Sequence, residues 1–341
     1  MHVAQIKLTG RRVRQILLTA RKCRISVVGD VMLDQFIWGD VNRISPEAPV
    51  PIVEFVRESF MPGGAANVAR NLTALEVLTE LSGVIGKDLP AQQLKELLKV
   101  HHISSQGLIS AERRRTSLKT RIVAHKQQVV RIDRETREGL NTALEARIIR
   151  RLETGIAQTS AVILGDYGKG VVTQSLLDSA KRLCRQHGVW LSVDPKPFHP
   201  LDLRGLSLIT PNRKEAFALA NVADETRNPN PLADPNLMRV SEKLLSELRP
   251  ALLLITLGEL GMLLCQRGYR PFHIPTVAQE VYDVSGAGDT VIATFTLAIA
   301  AGASPLEAAV ISNHAAGIVV GKIGTAVVTP SELIASFDKR G

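Results

Sequence analysis

The sequence has 341 residues, of which 45% are hydrophobic and 22% are charged, as in an ordinary globular protein with a substantial core. No apolar run reaches the roughly 18 residues that cross a bilayer. Cys23, Cys184 and Cys265 are too scattered for a disulfide framework or a thiolate metal site, so a reducing cytoplasm fits best. The net charge of +9 raises the question of nucleic acid, but cations on helix faces and around a phosphate site explain it more simply.

Residues 1–23 are the most basic stretch of the chain and read as an N-terminal extension, either a tail or a leading helix. They offer neither the continuous apolar segment of about 7–15 residues nor the cleavage site of a secretory signal. A nucleic-acid arm or a transit-like segment is the less favoured alternative to a solvated basic helix. The cations are Lys7, Arg11, Arg12, Arg14, Arg21 and Lys22, with Arg24 directly after them.

From residue 24 onward, short β-branched runs alternate with longer helical patterns such as residues 174–187. Each run suits a strand buried on both faces, and the alternation is typical of an α/β fold with a mainly parallel sheet. The predicted strands are 24–29, 161–165, 189–193, 206–210 and 252–256.

Two segments, 36–60 and 114–134, interrupt this alternation. The first contains Pro46, Pro49 and Pro51, and proline is tolerated mostly on edge strands. The second alternates β-branched and polar residues. Both are interpreted as strands of a small accessory sheet that serves as a lid or pairs with another subunit, with surface loops as an equally weighted alternative.

The first predicted strand ends in Gly29-Asp30-Val-Met-Leu-Asp34, which places two carboxylates where a parallel sheet presents its ligand sites. Further on, Gly63 and Gly64 precede a predicted helix that has Asn67 in its opening turns. Carboxylates and an amide can select sugar hydroxyls, and small residues let such a ligand lie against the backbone. Plain loop carboxylates and a tight turn are the ordinary alternatives.

The sharpest motif is Asp283-Val-Ser-Gly-Ala-Gly-Asp-Thr290, followed by an apolar stretch that can form a helix. Glycines at 286 and 288 let the first helical amides approach an anion closely. Asp289 would repel a phosphate there unless it accepts a proton at the point of attack. A helix N-cap is an equally weighted reading on this motif alone.

Other nucleotide motifs match poorly. The 286–291 segment lacks the third glycine of the dinucleotide fingerprint and follows the strand series instead of opening it. Residues 317–322 lack the glycine spacing of a P-loop, and Ile323 stands where Ser or Thr is required. A dehydrogenase is therefore disfavoured, and a P-loop protein is excluded.

Four motifs together resemble the ribokinase-like (PfkB) carbohydrate kinase family over residues from about 24 to about 330. They are Gly63-Gly64 with Asn67, Thr210-Pro-Asn-Arg-Lys-Glu215, Thr256-Leu-Gly-Glu-Leu-Gly261 and Gly286-Ala-Gly-Asp289. The resemblance implies a three-layer α/β/α fold with a mainly parallel central sheet and a small β-sheet lid. The kinase core then comprises residues 24–35, 61–113 and 135–341, with 36–60 and 114–134 as a lid and dimer clasp.

Within that family, segments 29–34, 43–51, 128–133 and 319–325 are similar to D-glycero-β-D-manno-heptose 7-phosphate kinases. Such enzymes phosphorylate C1 to give the 1,7-bisphosphate, a precursor of ADP-heptose for the lipopolysaccharide core. Some members carry a nucleotidyltransferase with a His-x-Gly-His motif, and the absence of that motif leads us to expect a stand-alone kinase. The rivals are another sugar or nucleoside kinase on the same scaffold and, less favoured, a nucleic-acid-binding protein.

The resemblance also implies roles for individual residues. Asp289 is expected as the base, with the amides of Gly286, Ala287 and Gly288 as the anion hole. Asn212 and Glu215 are expected to organise Mg²⁺ through water, and Thr256, Gly258 and Gly261 to lie along ATP, with Asn313 or His314 near the adenine. K⁺ is a further candidate ion.

For the sugar, the resemblance implies Asp34, Gly63, Gly64 and Asn67, with Asp30 and Asp166 as weaker candidates. The sugar's own phosphate needs cations, for which the candidates are Lys119, Arg121, Arg131, Lys169 and Lys196. The expected partners are the sugar phosphate, ATP and a second copy of the chain in a cytoplasmic homodimer, with no nucleic acid and no membrane.

Overall fold

A computed structural model describes residues 8–125, 127–278 and 280–338. The strands are β1 Arg24–Gly29, β2 Val31–Ile44, β3 Pro51–Gly64, β4 Leu78–Ile85, β5 Leu108–Ser110, β6 Ser117–Ala124, β7 Gln127–Arg134, β8 Ala161–Gly165, β9 Trp190–Asp194, β10 Leu208–Ile209, β11 Leu252–Thr256, β12 Met262–Cys265 and β13 Phe272–Ile274. The helices are α1 Gly10–Ala20, α2 Ala65–Ala74, α3 Leu89–Val100, α4 Thr142–Gly155, α5 Gln174–His187, α6 Arg213–Leu219, α7 Pro235–Glu247, α8 Ala287–Ala300, α9 Pro305–Val320 and α10 Pro330–Asp338.

The larger sheet has, within the described ranges, nine strands in the order β13-β12-β11-β10-β9-β8-β1-β4-β5. Neighbours from β11 to β5 are parallel, and β12 and β13 add antiparallel pairs at one edge. A parallel strand has to be reached through a crossover, which is why helices alternate with these strands in the sequence. The predicted mainly parallel α/β sheet is confirmed. Its predicted strand at 189–193 is displaced by one residue, and that at 206–210 is shortened.

The central strands send alternate side chains into two apolar layers. Ile25 and Ile163 pack into one layer, which contains buried residues of α1, α2, α3, α8 and α9. Val28 and Leu164, on the same two strands, pack into the other layer together with residues of α4 to α7. Strands covered on both faces read as continuous apolar runs, so the sequence pattern follows from this three-layer α/β/α arrangement.

Helix α8 is enclosed by the protein. Every residue from Asp289 to Ala298 is buried, as expected of a helix that is apolar on all sides. Helices α1, α2 and α9 contact it. No helix in the described part of the chain combines the length and the apolar character needed to cross a bilayer.

The basic N-terminal stretch is a helix from residue 10 to residue 20. Val13, Ile16, Leu17 and Ala20 recur at helical spacing and are buried against the core. Arg12 pairs with Glu307 at the start of α9, with 2.7 Å between Nε and Oε1. Of the two readings of this stretch, a leading helix therefore holds for these residues, whereas Lys7 lies outside the described residues.

The two interrupting segments form a second sheet, called the lid sheet below. Among the described residues it has four strands in the order β3-β2-β6-β7. Strand β2 pairs antiparallel with β3 and parallel with β6, and β6 pairs antiparallel with β7. These segments are strands and not surface loops. The lid strands begin earlier than expected, at Val31, and β3 continues to Gly64, so the residues expected to bind sugar lie at the base of the lid sheet.

Candidate active site

Three aspartates lie at the carboxyl edge of the main sheet. The register pairs Gly29 with Gly165 and Gly165 with Asp194, which aligns the ends of β1, β8 and β9. Asp30 and Asp166 follow the first two ends directly. Ligands of open parallel sheets bind beyond this edge, so the topology brings together residues that are far apart in the sequence.

Asp30 organises the loop that follows β8. One carboxylate oxygen accepts hydrogen bonds from the amides of Tyr167 and Lys169 at 2.8 and 2.9 Å, and the other accepts from the amide of Val171 at 2.9 Å. The side chain is buried. Because these amides use its acceptor capacity inside the protein, the geometry gives Asp30 a role in shaping the 165–170 loop and offers little of it to a sugar.

Asp166 is likewise engaged within the protein. It accepts from the amide of Gly168 at 2.9 Å and contacts His199 Nδ1 at 2.9 Å. Burial raises the pKa of Asp166, while its hydrogen bonds from Gly168 and His199 oppose that rise. His199 had not been singled out in the sequence.

Helices α2 and α8 are docked by buried polar contacts. Thr290 Oγ1 donates to Asn71 Oδ1 at 2.8 Å, and Asn71 Nδ2 donates to the carbonyl of Asn67 at 2.9 Å. This arrangement sets Asn67 beside Asp289, whose Oδ2 accepts from Asn67 Nδ2 at 2.7 Å. The remaining side-chain oxygen of Asn67 is buried and has no hydrogen-bond partner among the described residues. An unpaired buried acceptor is costly, so this oxygen is available to a ligand hydroxyl.

Asp289 does not cap its helix. Gly286 holds the N-cap position, and Asp289 is in the first turn, where Asn67 and the hydroxyl of Tyr167 each donate to one of its carboxylate oxygens. Burial raises the pKa of Asp289, whereas the two hydrogen bonds and the charge of Lys196 oppose that rise. The geometry thus favours a buried carboxylate that is held in place by side chains.

Position 286 requires a glycine, both for its backbone conformation and for the close approach of Asn67. Its φ is 79°, in the left-handed region, and an added Cβ would lie 2.7 Å from Asn67 Nδ2. After it, the amide of Ala287 donates to Val284 O at 3.2 Å, whereas the amides of Gly288 and Asp289 find no acceptor in the described part of the chain. Of the three amides expected to form the anion hole, that of Ala287 is therefore engaged, while those of Gly286 and Gly288 have no acceptor among the described residues.

A second charged group lies beside Tyr167. Lys196 Nζ is 3.0 Å from Asp194 Oδ2 and 2.7 Å from Glu215 Oε1, and it lies 5.8 Å from the ring centroid of Tyr167. Burial raises the pKa of Asp194 to about 7, against the opposing charge of Lys196. Burial alone would lower the pKa of Lys196, but the carboxylates of Asp194 and Glu215 outweigh it and raise that pKa.

Asn212 and Glu215 form a capping box at the start of α6. Asn212 Oδ1 accepts from the amide of Glu215 at 3.0 Å, and Glu215 Oε2 accepts from the amide of Asn212 at 2.9 Å. No group of three metal-ligating His, Cys, Asp or Glu side chains is found among the described residues. Mg²⁺ usually keeps several waters and binds through one or two carboxylates and substrate phosphates, so Glu215 and the neighbouring Asp194 fit such an ion.

The expected nucleotide motifs meet at one place. Thr256 forms an isolated parallel bridge with Asn212, which sets the end of β11 beside the start of α6. An added Cβ at Gly258 would meet nothing within 4 Å, whereas one at Gly261 would lie 2.1 Å from Ile274 O. Gly258 therefore leaves open space, and Gly261 allows close backbone packing.

Asn313 and His314 on α9 make different contacts. Asn313 Nδ2 donates to Pro275 O at 2.8 Å. His314 stacks on Phe337 of α10 with 3.7 Å between ring centroids, and its Nδ1 contacts Ser336 Oγ at 2.9 Å. These contacts tie Asn313 to the residue after β13 and His314 to the C-terminal helix, and a contact of either residue with adenine stays a prediction.

At the base of the lid sheet, Asp34 is buried and pairs with Arg121, with 2.6 Å between Oδ1 and Nη1. Its other carboxylate oxygen would lie 2.4 Å from a Cβ added at Gly63. The next glycine, Gly64, has a φ of 58° and would clash with the carbonyl of Asp30 if it carried a Cβ. The paired glycines therefore bring backbone, Asp34 and the start of α2 into contact.

Four of the five candidate phosphate cations are paired. Besides Arg121 and Lys196, Lys169 Nζ lies 2.6 Å from Glu135 Oε2, and Arg131 forms a two-pronged pair with Asp133. The side chain of Lys119, which is half-buried, makes no hydrogen bond or ion pair among the residues that the structure describes. Burial lowers the pKa of Lys119, and Lys169 and Arg121 add to this effect while Asp34 and Asp133 oppose it.

Tyr167 is the contact that sequence reasoning missed. It lies in Gly165-Asp-Tyr-Gly-Lys-Gly170, a segment in which the sequence predicts roles for Asp166 and Lys169 only. Tyr167 lies between two glycines just after a buried strand, where a large side chain is not needed for packing. Its position is the sequence feature that could have indicated a role in the site.

The chain is similar to known carbohydrate kinases along most of its length. The family described as "pfkB family carbohydrate kinase" matches residues 23–332. The chain is 42% identical over 315 residues to bifunctional protein HldE of Desulfatibacillum aliphaticivorans, covering 92% of this chain and 63% of that protein. It is 43% identical over 325 residues to the protein of the same name from Citrifermentans bemidjiense, covering 95% and 65%. The chain thus spans slightly less than two thirds of these relatives.

Solved structures share the fold at low identity. Arabidopsis thaliana ribokinase complexed with ribose and ATP superimposes with a TM-score of 0.71 at 18% identity, covering 93% of this chain and 98% of that one. Escherichia coli phosphofructokinase-2 in complex with potassium gives a TM-score of 0.71 at 20% identity, with the same coverage. The ribokinase-like arrangement of layers is therefore confirmed.

Proposed function

On the premise that this chain belongs to the pfkB family of carbohydrate kinases, which are ATP-dependent phosphotransferases, we propose that it phosphorylates D-glycero-β-D-manno-heptose 7-phosphate at C1. The product is the 1,7-bisphosphate used for ADP-heptose and the lipopolysaccharide core. The heptose assignment rests on segments 29–34, 43–51, 128–133 and 319–325. Identities of 42% and 43% to proteins named HldE support it.

The observation that carries the proposal is the setting of Asp289. A buried carboxylate stands beside two open helix amides and beside the unpaired side-chain oxygen of Asn67. The amides suit phosphate oxygens, the Asn67 oxygen suits a sugar hydroxyl, and the carboxylate between them suits the proton of the attacking group.

The proposed reaction is a direct in-line transfer. The C1 hydroxyl oxygen forms a bond to the γ-phosphorus, the bond from that phosphorus to the β,γ-bridging oxygen breaks, and ADP leaves with the bond's electron pair. Asp289 takes the hydroxyl proton, while the amides of Gly288 and Asp289 stabilise charge on the transferred group. Glu215 and Asp194 would hold a Mg²⁺ ion through water, and that ion would supply positive charge to the ATP phosphates.

Lys119 supports a phosphorylated sugar. It lies opposite Asp34 on β2 and Asp133 on β7, and Lys169 and Arg121 are close enough to lower its pKa further. A half-buried cation without a partner, next to two further cations, suits a bound dianion. The position opposite Asp34, which the family resemblance implies for the sugar, supports the assignment of this cluster to the sugar's phosphate.

The decisive experiment is a substrate panel read by phosphorus NMR. The purified chain with ATP and Mg²⁺ is given heptose 7-phosphate, ribose, fructose 6-phosphate or adenosine, and ADP release is measured in parallel. We expect the highest kcat/KM with heptose 7-phosphate and a new anomeric phosphate signal from C1. Markedly better turnover of one of the other three would overturn the heptose assignment, and phosphorylation elsewhere on the sugar would overturn the assigned position.

A further inference from the structure

The loop that carries Tyr167 is held in place by several hydrogen bonds and an ion pair. Three backbone amides, those of Tyr167, Lys169 and Val171, donate to the buried carboxylate of Asp30. The carbonyl of Lys169 accepts a hydrogen bond from Arg114, and its side chain pairs with Glu135. A loop with so many fixed points holds its side chains in one place, as a preorganised site requires.

The hydroxyl of Tyr167 is directed at the carboxylate expected to act as the base. It donates to Asp289 Oδ1, while Asn67 donates to Asp289 Oδ2. Each carboxylate oxygen thus has one fixed donor and keeps acceptor capacity for the sugar hydroxyl. The Tyr167 ring also lies beside Lys196, which joins this residue to the nucleotide side of the site.

We propose that Tyr167 is a positioning residue that orients Asp289 and keeps its carboxylate ionised at neutral pH. This inference rests on the proposed function and deepens it, since it names the group that maintains the base. Tyr167 acts through Asp289 and takes no part in bond making. Its hydroxyl stays protonated at working pH, because burial and the surrounding carboxylates raise its pKa well above the usual value.

The charges around Asp289 work in opposite directions. Burial raises the pKa of Asp289, and Asp34 raises it further. Asp194 also lies close enough to couple with it. Against these stand the donors Asn67 and Tyr167 and the charge of Lys196. Removing one donor therefore shifts the balance toward the protonated acid, and protonated Asp289 cannot accept the hydroxyl proton.

The test is the pH profile of kcat/KM for Tyr167→Phe, which removes the hydroxyl and keeps the ring. We expect the acid limb to move to higher pH, so that the loss relative to wild type is about tenfold greater at the foot of the limb than on the plateau. Tyr269→Phe is the matched control, because Tyr269 is exposed in the β12–β13 turn, at the end of the sheet opposite the site. An acid limb unchanged from wild type would overturn the inference.

A second measurement does not depend on the folding of that variant. The chain has three tyrosines, so replacing Tyr269 and Tyr282 by Phe leaves Tyr167 alone. Biosynthetic fluorotyrosine then makes its hydroxyl a stronger donor, and we expect the acid limb to move to lower pH. No shift on fluorination contradicts the role of Tyr167. If the unmodified wild-type chain turns over no sugar phosphate, the proposed function fails instead, so the two failures are distinguishable.

Discussion

The proposed chemistry depends on the carboxylate of Asp289. Its burial alone would favour the neutral acid, and its two donors and Lys196 favour the ion. Asp289→Asn keeps the size of the side chain and removes its ability to take a proton. We expect kcat to fall by about 10²–10⁴-fold, with ATP affinity largely retained, measured by ADP release and by calorimetric titration of ATP.

Asp178→Asn serves as the control for that substitution. Asp178 is an exposed carboxylate on α5, in the layer on the other side of the sheet from α8, so its loss should leave turnover unchanged. Near-normal turnover of Asp289→Asn would contradict the assignment of the base.

Lys119 is predicted to determine the affinity for a phosphorylated sugar. Lys119→Met keeps the apolar stem and removes the charge, which should raise KM for heptose 7-phosphate by about 10–100-fold with a much smaller change in kcat. Steady-state kinetics at varied sugar concentration measure the effect. Lys95→Met, on the exposed side of α3, is the matched control. An unchanged KM in the Lys119 variant would remove this residue from the sugar site.

At the scale of elements, the two glycines at the start of α8 differ in the space that a side chain would find. In Gly286→Ala the Cβ meets Asn67 and the backbone adopts a strained φ, so we expect about 1 kcal/mol or more of lost stability together with lower turnover. In Gly288→Ala an added Cβ meets nothing within 4 Å, so stability should be retained while KM for ATP rises. Thermal unfolding and ATP kinetics separate the two. Equal behaviour of both variants would refute this division of roles.

The junction of α1 with α9 should make stability depend on pH. The hydrogen bond from Arg12 lowers the pKa of Glu307 to about 2. A depressed carboxyl pKa contributes stability above the unfolded-state value of about 4.3, and this contribution is lost as the pH falls toward 2. We expect Arg12→Gln to destabilise the protein at pH 7, with the difference from wild type shrinking below about pH 4. Urea unfolding at a series of pH values measures it, and a pH-independent difference would contradict the pairing.

At the scale of the whole molecule, the outer face of the lid sheet suggests a second copy. In the strand register, Phe55, Val130 and Ile132 share a face that points away from Asp34. Phe55 is 65% exposed, and Val130 and Ile132 are 44% and 45% exposed. A sheet face of this kind is commonly covered by a partner, and a two-fold axis would also protect the sheet edges.

We therefore predict a homodimer joined through the lid sheets. Phe55→Glu places a charge on that face at its β3 edge and should convert dimers to monomers in light scattering. Leu18→Glu, at an exposed position on α1, should leave the dimer intact. A wild-type chain that scatters as a monomer at micromolar concentration would refute the prediction.

The mainly parallel α/β sheet and the position of the carboxylate proposed as the base could be predicted from the sequence alone. Apolar β-branched runs alternating with helical patterns specify a parallel sheet, because strands covered on both faces need no polar residues. The Gly286-Ala-Gly-Asp289 motif located the start of a helix, and the joint occurrence of four motifs identified the family. These signals are local, or depend on the order of motifs alone, so a sequence carries them without a structure.

Which side chains contact one another follows from the three-dimensional fold and could not be predicted from the sequence. Asn67 and Asp289 are 222 positions apart, Tyr167 and Asp289 are 122 apart, and Arg121 and Asp34 are 87 apart. Their contacts depend on the register of β1 with β8 and on the docking of α2 against α8, which no local pattern encodes. For the same reason the sequence could not separate Asp30, which loop amides engage, from Asp34, which pairs with Arg121. Nor could it show that Lys119, of the five candidate cations, is the one whose side chain has no partner among the described residues. Whether a charged side chain is buried and which partner it has depend on the strands and helices that meet at the edge of the sheet, and these are brought together only by folding.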